Sequence, residues 1–219
     1  MQRMDFSKEV PPWLLNQAAP TKAAEPRIQE HLPAYAGLKA FFSKLESQMG
    51  LLALEDGERF QRMGVYLFDG LAAHLYTGEL PTGVIHAQFS NPRFVPDPAV
   101  EVMVPSPEGV LTMKLASAPR TKNLRWSRYG EGFEYKFPFE IESFSVYVTQ
   151  PVYLAVSMCT YFTPEDEACI ASLIRAGLIT GSAFDLAWTQ SCENELPSNR
   201  DMEIRARVLE MLGEAYPPA

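Results

Sequence analysis

A chain of 219 residues, 47% apolar and 21% charged, is long enough to bury a core without metal or disulfide staples. Its net charge of −8 argues against general binding to nucleic acid or anionic membranes, although it leaves room for a local basic patch. Three cysteines without regular spacing, Cys159, Cys169 and Cys192, do not form a disulfide framework and point to a reducing compartment.

The opening MQRMDFSKEVPPWLL has no apolar stretch of signal-peptide length. No run approaches the roughly 18 apolar residues of a membrane span. The expected location is cytoplasmic, or inside a particle assembled in a reducing compartment. Residues 1–33 carry five of the 18 prolines, which rules out a long helix or a central strand there. An extended arm is expected, with Pro12 starting one helical turn. Trp13, Leu14 and Leu15 are too apolar for a purely solvated tail. They are expected to pack on their own domain or to dock on a neighbouring subunit.

Residues 34–219 read as one α+β domain. A helical pair is expected over 34–80. Its first stripe is Leu38, Phe41, Phe42, Leu45, Met49 and Leu52, and its second is Phe60, Met63, Leu67, Leu71 and Leu75. Residues 82–162 change to β character, with about five or six strands in an antiparallel sheet or sandwich. Val100, Val102 and Val104 alternate with Glu101 and Met103, and Leu111, Met113 and Leu115 with Thr112 and Lys114. Ser106-Pro107-Glu108-Gly109 between them predicts a hairpin turn. Phe133 to Ile141 alternates next, and the phase slips near Ser143 before Phe144, Val146 and Val148. Val152 to Phe162 is apolar on both sides, as a central strand would be. Residues 163–216 return to helix. Thr163-Pro164-Glu165-Asp166 predicts a capped start, a short helix is expected over Ser182 to Thr189, and a last one from Asn199 with Glu203 and Arg207 as an i,i+4 pair.

Chemical motifs are sparse. Glycine-rich phosphate loops and the Gly-x-Ser-x-Gly elbow are absent. His31, His74 and His86 are not at zinc-site spacings, so no metal ligand, cofactor or catalytic residue is assigned. His74 reads as a core-edge residue and His86 as a strand surface residue. Cys159 and Cys169 read as small buried hydrophobes. The carboxylates at Glu55/Asp56/Glu58, Glu140/Glu142 and Glu165/Asp166/Glu167 suit a turn, a solvated strand and a helix start.

One island stands out. Between Lys114 and Lys136 lie six of the 19 basic residues, opposed only by Glu131 and Glu134 and interleaved with aromatics. Arg120, Lys122, Arg125, Trp126, Arg128 and Tyr129 are its candidate contact residues. It reads as a solvated hairpin with its aromatic feet in the core, or as a contact whose expected partners are protein subunits, self or other, meeting it through acidic surfaces. Nucleic acid is the less favoured partner. The arm and this hairpin together suggest a structural component of a larger assembly, such as a virus particle or a secretion machine. The alternatives are a small-molecule-binding or enzymatic α+β domain and a nucleic-acid-binding accessory protein.

Overall fold

The computed structural model describes residues 24–56, 63–91, 94–116, 134–136, 141–192 and 197–213. The arm residues Trp13, Leu14 and Leu15 lie outside the described residues, as do Arg120, Lys122, Arg125, Trp126, Arg128 and Tyr129 of the basic island. In chain order the elements are α1 (Pro33–Asp56), β1 (Met63–Phe68), α2 (Asp69–Thr77), β2 (Val84–Phe89), β3 (Glu101–Ser106), β4 (Gly109–Leu115), β5 (Glu134–Lys136) and β6 (Phe144–Thr149). Then come α3 (Pro151–Met158), α4 (Pro164–Arg175), α5 (Gly181–Ser191) and α6 (Asn199–Met211). Helices thus flank a central sheet at both ends of the chain, an α+β arrangement.

The described end of the arm packs on its own chain. Ala24 N donates to Gly177 O at 3.0 Å, and Gln29 N donates to Leu75 O at 2.9 Å. Gln29 Nε2 reaches Tyr76 O at 2.8 Å. Pro33 then opens α1, where a missing N–H costs nothing. Leu38, Phe41, Phe42 and Leu45 of α1 are buried, and the helix lies against β3 and β4.

The strands form one sheet in the order β3-β4-β2-β1-β6-β5. It is mixed rather than antiparallel throughout: β1 with β6 and β2 with β4 are parallel pairs. Alternation shows which face of a strand is dry, but not which neighbour it takes or in which direction. The β3–β4 hairpin is as expected, with Ser106 opposite Gly109. Ile141, Phe144, Val146 and Val148 are buried, and Phe133, Phe137 and Phe139 of the preceding alternation lie outside the described residues.

Two stretches differ from the sequence reading. Met63 to Phe68 is a strand and not part of a second helix. Met63 and Leu67 fit a helical stripe, but with Val65 they also fit a period of two, and the run Val65-Tyr66-Leu67-Phe68 favours the strand. Conversely, Pro151–Met158 is a helix and not a central strand. It is apolar nearly all round because α2, α4 and α5 pack around it. Pro151 at its first turn is the local signal.

The later helices start on side-chain caps. Thr163 with Asp166 and Ser198 with Asp201 each form a reciprocal capping box. Arg207 of α6 bridges to Glu167 of α4 at 3.0 Å and to Glu210 at 2.9 Å, in place of the expected Glu203.

Candidate functional site

Strand β1 passes directly into α2, and Asp69, the first residue of that helix, sits at φ +59°. Left-handed backbone is uncommon outside glycine, although aspartate tolerates it better than most residues. Among the described residues, Leu80 (φ +53°) and Phe162 (φ +46°) share this conformation. Asp69 and Leu80 line one cleft of about 700 Å³, and Phe162 lies two residues before Pro164, which lines it as well. Such strain costs of order 1–3 kcal/mol per residue and gathers at functional sites.

The cleft is bounded by the β1–α2 junction, the Leu80–Thr82 connection, β2 and the first turns of α4. Its walls are largely apolar, from Leu71, Leu80, Val84 and Ala168 among others. Antiparallel pairing sets Phe68 opposite His86, so the end of β1 delivers Asp69 beside that histidine. His86 Nδ1 is 3.4 Å from Asp69 Oδ2, with the two side chains 19% and 9% exposed. The His86 ring also lies 5.9 Å from the Phe68 ring, centroid to centroid. A carboxylate beside Nδ1 favours the proton on that nitrogen and leaves Nε2 as the basic one.

Cys169 of α4 lines the same cleft. Burial pushes its thiol up to about 11, helped by the negative charges of Asp166, Asp69 and Glu165. At neutral pH it is a thiol and not a thiolate, so it does not supply a ready nucleophile beside His86. The N-terminus of α4 is occupied too. Asp166 Oδ2 accepts from Thr163 N and Thr163 Oγ1, both at 2.9 Å, and Thr163 Oγ1 accepts from Asp166 N at 3.3 Å. Carboxylates at this positive helix end leave the cleft with an acidic character.

The residues weighed in the sequence fall in different places. His74 is buried with Nδ1 2.9 Å from Glu79 O, a structural contact. Cys159 and Cys169 are buried, Cys159 as the residue ending α3. The helix-start acids Glu165 and Asp166 line the cleft. His86 is not a plain surface residue, because it faces the cleft from β2. Asp69 is not among the residues that the sequence singles out. Its signal was an Asp-Gly pair closing an apolar run of strand-forming residues, visible once β1 is recognised as a strand. Among the described residues, no group of three or more His, Cys, Asp or Glu side chains is disposed to hold a metal ion. No described helix is long and apolar enough to cross a membrane.

No protein-family model matches this chain, and no curated protein or solved structure does.

Proposed function

We propose that this protein binds a small, mostly apolar molecule in the cleft and acts on it by proton transfer through the Asp69–His86 pair. The observation that carries this reading is the convergence of a mostly buried Asp–His pair and left-handed backbone on one apolar cleft. Asp69 orients the imidazole, and Nε2 exchanges the proton with the ligand. The cleft volume of about 700 Å³ suits a ligand of ordinary metabolite size.

The test is ligand-observed NMR with a fragment library, on the wild type and on Ala168→Trp, which fills the cleft. Hits that disappear with the blocking substitution support the reading. No hits, or hits that ignore the substitution, remove it. Where a hit is also turned over, His86→Gln is expected to lower its rate by about 10²–10⁴-fold while fragment binding persists.

Assembly remains a second reading, favoured by charge segregation. The Lys114–Lys136 island holds six basic and two acidic residues, a net +4, so the rest of the chain carries −12. A second copy of this chain therefore offers the complementary surface. The outward side of the β3–β4 hairpin adds exposed Met103 (71%) and Val110 (68%) on the edge of the sheet. Native mass spectrometry of the full chain and of residues 24–219 tests it. The cut falls at Ala24 because residues 24–32 are held by α2 and the α4–α5 turn. Oligomers that fall to monomers on truncation support an arm-built assembly, and a monomer of 24.5 kDa for the full chain rejects self-assembly.

A further inference from the structure

The charge of the cleft selects among small molecules. Its titratable lining is Asp69, Glu165 and Asp166 on the acidic side, His86 as the one group that can become cationic, and the Cys169 thiol. Asp166 is engaged by Thr163 in the capping box, so it contributes field more than contact. Glu165 is exposed at the rim. Asp69 is the carboxylate set within the cleft, 6% exposed and held at the base of α2. Around it stand the side chains of Leu71, Leu80 and Val84, which offer no charge of their own.

Resting on the reading of this cleft as a ligand site, we propose that its ligand is an organic cation, an ammonium group on an apolar body, with the ammonium against Asp69 and the body on the leucine and valine walls. An anionic ligand would meet three carboxylates and a capped helix end. A neutral ligand would fill the walls but gain no charge-assisted contact with Asp69. An ammonium partly shielded from water gains a charge-assisted contact with Asp69. The raised titration of Cys169 agrees with this, since negative charge around the sulfur is part of its cause.

Three probes of one shape test the proposal: benzylammonium, benzyl alcohol and benzoate. Each is titrated by ligand-observed NMR into the full chain at pH 8. The expected result is that benzylammonium binds about tenfold more tightly than benzyl alcohol, with benzoate weakest. That preference is expected to shrink with added salt and to vanish in Asp69→Asn. Glu165→Gln, at the rim, is expected to weaken it only about twofold. If benzyl alcohol or benzoate binds as well as benzylammonium, the cation proposal falls and the cleft reading stands. A preference that survives Asp69→Asn also overturns the proposal. If all three probes fail, the proposal is overturned, and the cleft reading falls with it only when the wider fragment library finds no cleft ligand either.

Discussion

Gly83→Ala is expected to destabilise the protein by about 3–5 kcal/mol, among the larger effects of a single substitution. Gly83 is buried in the connection that leads into β2. A Cβ placed there would lie 2.0 Å from Thr112 O and 2.7 Å from Thr112 C of β4. These are backbone atoms, so no side-chain rotation relieves the clash. The connection must move away from β4, which strains the bond from Lys114 N to Gly83 O at 3.0 Å. It also strains the parallel pairing of Val84 with Lys114 and Ile85 with Leu115. For a domain of this size each kcal/mol lowers the midpoint by about 2–4 °C, so the melting temperature should fall by roughly 6–20 °C. Gly70→Ala is the matched control. Its Cβ would make ordinary contacts at 3.7 Å with Cys169 and Thr82, and helix α2 gains a better helix former. That variant is expected to stay within about 1 kcal/mol of the wild type. Urea and thermal melts of the two proteins decide the matter, and equal midpoints would contradict the packing described for Gly83. Because Leu80, Pro81 and Thr82 line the cleft, Gly83→Ala should weaken fragment binding even where the protein stays folded.

The sequence displays most of the helical frame and little of the site. The stripe of α1, the capped start at Thr163 and the Pro107-Glu108 turn are local events, set by residues within a few positions of one another. They can therefore be read from order alone. The partners in the sheet are long-range choices. Nothing in Val65 to Phe68 states that this strand lies between β2 and β6, antiparallel to one and parallel to the other. The run from Val152 misleads for a related reason. Uniform burial gives a central strand and a surrounded helix the same apolar look, and only Pro151 distinguishes them. The Asp69–His86 pair was hidden by both effects. Seventeen positions separate its members, and they meet only because β1 pairs with β2 and Asp69 is the next residue after β1. Once β1 is taken as a helix, His74 attracts attention as the nearby histidine and His86 looks like surface.

Asp69→Asn should separate function from stability. Asparagine tolerates the left-handed backbone at φ +59° about as well as aspartate, so the turn from β1 into α2 survives. The substitution removes a carboxylate whose side chain is 9% exposed, and with it the cost of keeping that charge out of water. Against this gain stand the attraction to His86 at 3.4 Å and a favourable charge at the first turn of α2, the latter worth about 0.3–1 kcal/mol. These opposing effects nearly cancel, so stability is expected to stay within about 1 kcal/mol of the wild type, or to rise. Binding of an ammonium probe should be lost. Asp69→Ala keeps neither the charge nor the tolerance for positive φ, and is expected to cost about 1–2 kcal/mol more than the asparagine variant. Melts and NMR titrations on the same samples supply both readouts. Unchanged stability together with lost binding would mark Asp69 as a carboxylate retained for its chemistry. A loss of more than about 3 kcal/mol in Asp69→Asn would instead mark the pair as a buried structural ion pair, and the functional reading of the cleft would then have to stand without it.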